Sequence, residues 1–376
     1  MSRGFARSEF EARVVRAQAR MERAGLGALL LTTEPEFRYF TGFLTRFWES
    51  PSRPWFLVLP ARGRPLTVIP SIGAALMGRT WIEDIRTWPA PAPEDDGVSL
   101  LAACLREVGG PVGVPSGHES CLRMPLADFE RVRSAAALEF RDDAGIMAAL
   151  RAIKSDAEIA RIACICAIAG RAFARMGEIA GEGVPLARVF RDFQRLLLEE
   201  GADFVPYLAG GAGPEGYGDV ISPASHAPLR RGDVMMLDTG ALRDGYFCDF
   251  DRNFAIGEAS DRVREAHARL IEATRAAFAM ARPGARACDL WRAMADVTGA
   301  RPEDGRLGHG LGMQLTEGLS LTPWDQTVLQ PGMVITLEPG IVTGAERMMV
   351  HEENLVITEG APRALSPLAG ADLPVI

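Results

Sequence analysis

Apolar positions recur at helical spacing near the start of the chain, where Phe10, Val14, Ala17 and Met21 share one face behind a Ser8–Glu11 capping box. The pattern then changes to continuous apolar runs bounded by Gly and Pro. GLGALLLTT, WFLVLP and PLTVIP read as short buried strands, and PVGVP and ALEFRDD add one strand each. FLTRFWESPSRPW is too Pro-rich for a regular element, and PAPAPEDDGVS (89–99) reads as a surface connection. These elements predict an α/β domain over residues 1–148.

A different order begins at residue 149. Ser155-Asp-Ala-Glu158 is a second capping box, opening a helix through Ala180 with Ile159, Ile162, Cys166, Ala169 and Phe173 on its apolar face. LARVFRDFQRLLLEEGA predicts another helix, GGAGPEGYGD a Gly-rich loop, and VMMLDTGALRDGYFCDFDRNFAIG a hairpin turning at Asp244-Gly245. The order then repeats, with helices over 260–282 and 287–298 followed by the β runs MVITLEPGIV and NLVIT. Residues 149–376 are therefore expected to form an α+β domain of two helix–helix–hairpin halves. Such a duplication places a site at the shared sheet, where each half contributes side chains.

Composition narrows the class. In 376 residues, 48% are hydrophobic and 24% charged, the balance of an ordinary globular protein. A formal charge of −8 argues against a nucleic-acid partner, which selects for a clustered basic face. No apolar run approaches the ~18–20 residues of a membrane span, and MSRGFARSEF lacks the apolar core of a signal peptide. Six cysteines without a CxxC pair read as reduced thiols, so a cytoplasmic location is expected. The single lysine, Lys154, reads as genome composition.

Acidic residues inside β runs carry the chemistry, because a buried carboxylate needs a partner. Asp238 ends MMLD, Asp249 lies on the return strand beside Asp251, Glu338 ends VITLE, and Glu352 with Glu353 precedes NLVIT. Acids converging on one sheet face repel one another unless cations sit among them. His309, in the turn Gly308-His309-Gly310-Leu311-Gly312, completes an oxygen-rich set with one imidazole. Such a set suits a pair of divalent ions such as Mn, Co, Fe or Zn.

These motifs resemble the creatinase/aminopeptidase ("pita-bread", M24-type) family, which includes Xaa-Pro dipeptidases and methionine aminopeptidases. The family pattern is an Asp eleven residues before a second Asp, a GHGxG histidine, an EPG glutamate and a Glu ahead of the final strand. Here these are Asp238, Asp249, His309, Glu338 and Glu352. Arg252-Asn253-Phe254 is close to the family's R-T-F. MERAGLGALLLTTEPEFRYFTGF matches the start of its N-terminal domain, and LRAIKSDAEIARI its domain junction. The resemblance implies a pita-bread catalytic domain holding two metals, with Asp249 and Glu352 bridging them. The metals would supply a hydroxide nucleophile near neutral pH and hold the substrate oxygen. It also implies a homodimer.

The chain departs from the peptidases at two helper histidines. Where the first would stand, counting back from Gly232-Asp233, it offers Val220 or Ile221; where the second would stand, seven residues after His309, it has Thr316 followed by Glu317. Protonating a leaving amine calls for a positioned acid. Glu317, His351, Tyr217 and Glu353 are the candidates for that role, with Tyr217 and Thr316 also expected near the substrate. Strand alternation turns His351 to the face opposite Glu352, so a packed histidine is the competing reading. Trp48, Arg53 and Trp55 are candidates to cap a small ligand, set against tryptophans that pack on their own domain. The expected activity is a dinuclear metal-dependent hydrolase attacking the amide C–N bond of a short peptide or small molecule. The alternative is a non-peptidase of the same fold, an amide or amidine hydrolase or a dimethylsulfoniopropionate-type lyase.

Overall fold

The computed structural model describes residues 3–50 and 54–376. The chain divides into two compact units, Met1–Leu150 and Arg151–Ile376.

In the first unit the apolar runs become strands β1 (Ala28–Leu31), β2 (Phe56–Pro60), β3 (Leu66–Pro70), β4 (Asp84–Trp88), β5 (Val112–Val114) and β6 (Phe140–Asp142). They form one mixed sheet ordered β4-β3-β2-β1-β5-β6. Its helices are α1 (Arg7–Ala24), α2 (Glu34–Thr41), α3 (Ala74–Met77), α4 (Val98–Val108), α5 (Leu126–Ala136) and, at the division, α6 (Ile146–Ala152). Leu101, Cys104, Leu105, Val132 and Ala136 from α4 and α5 pack on Leu30, Phe56, Val58 and Val68 of the sheet. One sequence expectation fails locally. Helix α1 starts at Arg7, with Ala6 as its N-cap, so Ser8 lies inside the first turn and forms no capping box.

The second unit repeats helix–helix–strands twice. The first half holds α7 (Asp156–Ala174), α8 (Leu186–Glu199), β7 (Phe204–Pro214), β8 (Asp233–Arg243), β9 (Tyr246–Phe247) and β10 (Phe250–Ala255). Ser155 and Glu158 form the expected capping box at the start of α7. The β8–β9 turn sets Asp244 at φ 50° and Gly245 at φ 81°, the two positive values that a two-residue hairpin turn matching strand twist demands. The second half holds α9 (Asp261–Met280), α10 (Ala287–Thr298), β11 (Val334–Leu337), β12 (Gly340–Gly344), β13 (Arg347–Val350), β14 (Glu353–Val356) and β15 (Arg363–Ala364).

This half is not the simple hairpin expected. Strands β11 and β14 pair from Val334↔Val356 to Leu337↔Glu353, while β12 and β13 form a separate two-stranded sheet between them. Pro339 follows directly after Glu338 and has no N–H to extend the ladder, so the chain leaves the sheet there. The first half of the Gly-rich run, up to Pro214, is instead part of a strand, β7, which pairs with β8 from Tyr207↔Gly240 to Pro214↔Asp233, while residues 215–219 are irregular as expected. Its glycines are needed for close approach: a Cβ on Gly210 would stand 2.2 Å from the Met236 carbonyl oxygen.

Candidate metal centre

Strand β8 presents Asp238 in register with Asp251 of β10, so the two acids share one face. Asp249 stands just before β10, and Glu352 just before β14. His309 arrives on a loop fastened to β11: its N–H donates to Thr336 Oγ1 (3.1 Å), and the Thr336 N–H donates to the His309 carbonyl (2.7 Å). Gly308 makes this approach possible, since its φ is 139° and a Cβ there would lie 2.3 Å from the Thr336 carbonyl oxygen.

Asp249, His309 and Glu352, all buried, each offer one ligand atom, and the three atoms lie within 4.8 Å of one another. His309 Nδ1 is 3.0 Å from the Gly310 carbonyl, which can only accept, so Nδ1 carries the proton and Nε2 is the lone-pair nitrogen. That Nε2 lies 3.3 Å from Asp249 Oδ2 and 3.8 Å from Glu352 Oε1.

The electrostatics are those of anions crowded in a dry place. Burial raises the carboxyls of Asp238, Asp249 and Glu352 well above their usual range; Asp249 adds to the rise at Asp238 and Glu352. Glu338 is pushed up to about 7 by burial, with His309 opposing the rise and Asp249 adding to it. Among the described residues, Asp238 Oδ1 and Glu352 Oε1 are buried without a hydrogen-bond partner. An unpartnered Glu352 oxygen and an Asp249 oxygen beside a lone-pair imidazole nitrogen fit a divalent cation.

Two residues that the sequence reading passed over belong to this region. Tyr207 of β7 is partly buried, and burial together with the charge of nearby Asp238 raises its phenol. The Gly-rich continuation of its strand hid it. Arg306 is exposed, donates to Thr316 Oγ1 (3.2 Å), and lowers the carboxyls of Asp249 and Glu338 against the effect of burial. Its place three residues before His309 was the available signal.

The other candidates stand elsewhere. Glu317 is buried in an ion cluster: Lys154 Nζ reaches its Oε1 at 3.0 Å, Arg151 pairs with its Oε2, and the Gln314 N–H donates to Oε2 at 3.1 Å. Burial would raise its pKa, but Arg151 and Lys154 outweigh that and hold it down to about 2. It is a fixed anion and a poor proton carrier near neutral pH. The lone lysine is thus a structural partner, not a trace of composition alone.

His351 lies behind Glu352, with Nδ1 3.4 Å from Asp251 Oδ1 and Nε2 3.2 Å from Glu353 Oε1. Tyr217 is fully buried, its hydroxyl accepting from the Val350 N–H (2.6 Å) and lying 3.2 Å from Asn253 Oδ1, so it is held inside the fold instead of facing a substrate. Trp48 and Trp55 are buried in the first unit, 5.7 Å apart by ring centroid, against Phe37 and Phe43. They serve as core there, and a Cβ on Gly73 would stand 2.2 Å from the Trp55 ring. Arg53 lies outside the described residues.

Known proteins place this geometry in a family. Residues 160–359 match the model of metallopeptidase family M24, and residues 13–153 that of the creatinase/prolidase N-terminal domain. The chain is similar to a probable dipeptidase PepE of Mycobacterium tuberculosis, at 29% identity over 95% of this chain and 94% of that protein. It is similar to an Xaa-Pro dipeptidase of Pyrococcus horikoshii, at 30% identity over 66% of this chain and 72% of the other. The crystal structure of dipeptidase PepE from Mycobacterium ulcerans superposes with a TM-score of 0.84 at 27% identity, covering 99% of both chains. With a creatinase-type N-terminal domain ahead of a pita-bread catalytic domain that gathers acids around one histidine, the chain belongs to metallopeptidase family M24 and is a hydrolase.

Proposed function

We propose that this enzyme hydrolyses the amide bond of short peptides, with dipeptides bearing a free C-terminal carboxylate as the main substrate class. The metal centre would comprise two divalent ions held by Asp238, Asp249, His309, Glu338 and Glu352, with Asp249 and Glu352 shared. The observation that carries this reading is the convergence of Asp249, His309 and Glu352 with ligand atoms within 4.8 Å in a buried setting. Similarity to a probable dipeptidase and to an Xaa-Pro dipeptidase supports the same substrate class.

When bound, such ions supply an activated water at neutral pH and polarise the scissile carbonyl. The chain's own groups supply the rest. His309 keeps its proton on Nδ1, so its Nε2 lone pair would serve as the ligand. Tyr207 stands near Asp238 and would help to shape that side of the centre. Arg306 contributes a positive charge beside an otherwise acidic cluster, the group to which a substrate carboxylate would turn.

Thr316, where peptidases of the family carry a histidine, favours a second reading: hydrolysis of a small non-peptide amide, or a lyase reaction. A panel of Xaa-Pro and other dipeptides, assayed after addition of Mn, Co, Fe or Zn, decides between them. Turnover of dipeptides that is abolished in Asp249→Ala supports the proposal. Inactivity across the panel by metal-loaded protein would overturn it in favour of the small-molecule reading.

A further inference from the structure

Within Arg151–Ile376, β10 and the segment 350–354 belong to different backbone ladders, yet they run side by side. Side chains of alternate residues make the join. Asn253 Nδ2 donates to the Val350 carbonyl at 2.7 Å, Asp251 Oδ1 accepts from the Glu352 N–H at 3.1 Å, and Asn354 Oδ1 accepts from the Asp249 N–H at 3.0 Å. This seam brings Asp249 and Glu352 to the same place from opposite halves. At its centre, the Glu352 N–H donates to one oxygen of Asp251, and the Glu352 carbonyl accepts from Arg252 at 3.3 Å.

Asp251 is itself braced. The His351 ring lies between two buried acids in ion-pair contact, Nδ1 3.4 Å from Asp251 Oδ1 and Nε2 3.2 Å from Glu353 Oε1; Nδ1 has no hydrogen-bond partner among the described residues, so its hold on Asp251 is one of charge and packing. Glu353 is anchored in turn by Arg252 (3.0 Å), by the Ser366 hydroxyl and by the Ala369 N–H (2.8 Å). A continuous chain of contacts therefore runs from Ser366 and Ala369 through Glu353, His351 and Asp251 to the Glu352 amide. Asp251 and His351 are each about 1% exposed, so no solvent substitutes for a lost link.

We propose that Asp251 and His351 are positioning residues for Glu352: the imidazole, held against Glu353, presses Asp251 onto the Glu352 amide and so sets where the Glu352 carboxylate stands relative to Asp249 and His309. The inference rests on the metal-centre reading above. It gives His351 a role other than the proton transfer first considered for it, one exerted from behind the ligand.

The test is calorimetric titration of Mn²⁺ into chelator-stripped full-length protein, with visible absorption of the Co²⁺ form as a second readout. Wild type is compared with His351→Ala, His351→Gln, Asp251→Asn and a control, His267→Gln. His267 is another buried histidine, 6.3 Å from the His351 ring and bonded to the Gly370 carbonyl. The expected result is roughly 10- to 100-fold weaker Mn²⁺ binding in His351→Ala, partial recovery in His351→Gln, and an altered Co²⁺ band in Asp251→Asn. The His267 variant should lose stability but keep wild-type affinity. Equal affinity in wild type and the folded His351 and Asp251 variants would overturn the inference while leaving the metal centre standing. Wild type that binds no Mn²⁺ or Co²⁺ would overturn the metal centre and the inference together.

Discussion

Asp249, His309 and Glu352 owe their chemistry to burial, and Arg306 and Glu317 owe theirs to the partners they meet. Among the described residues Arg306 donates to one threonine hydroxyl, and a guanidinium with five N–H donors then has others to offer a carboxylate. Arg306→Ala should raise KM for dipeptides at least tenfold with a smaller effect on kcat, and should leave C-terminally amidated substrates unaffected. Steady-state kinetics on paired free and amidated substrates checks this. Glu317 has a folded-state pKa of about 2, below its ordinary 4.5. Its contribution is therefore fully present above pH 4.5 and is lost as pH falls toward 2; a shift of that size corresponds to roughly 3 kcal/mol. Urea denaturation should show Glu317→Gln markedly less stable than wild type at pH 7, with the gap closing near pH 2. Asp249, His309 and Glu352, which the structure brings together, were legible because each stands in its own short motif at a strand end or glycine-rich turn. The ion cluster of Glu317 was not, since Arg151 and Lys154 stand more than 160 positions away. Nor was the bracing of His351, which depends on a partner in another half.

At the scale of elements, apolar runs and capping residues were easy to read where local geometry decides. The Ser155–Glu158 cap and the Asp244–Gly245 turn follow from side-chain reach and from φ alone. Strand β7 was missed because glycine is read as loop, whereas here it permits close packing on β8. Strands β12 and β13 were missed because the break at Pro339 diverts the chain into a second small sheet. Gly308 shows how an element end controls the centre. Gly308→Ala would combine a positive φ with a Cβ 2.3 Å from the Thr336 carbonyl oxygen, forcing the His309 loop off β11. The expected outcome is a drop in thermal stability together with lost Mn²⁺ binding. Thermal melts with and without Mn²⁺ measure it: the wild type should be stabilised by the ion and the variant should not.

At the scale of the molecule, each unit has its own hydrophobic core, and the chemistry lies in the second. Trp48 and Trp55, candidates either to cap a ligand or to pack on their own domain, are buried in the first unit. A Pro-rich aromatic stretch carries no sign in its sequence of which surface it will cover. Among the described residues no helix is long and apolar enough to cross a membrane. The central claim is that two halves of one domain bring their acids together to hold divalent metal. Metal content by mass spectrometry, on protein purified without chelator beside Glu352→Ala, tests it most directly. The account predicts about two divalent ions per chain in the wild type and a clear loss in the variant. Protein with no bound metal, and none taken up from added Mn, Co, Fe or Zn, would contradict it.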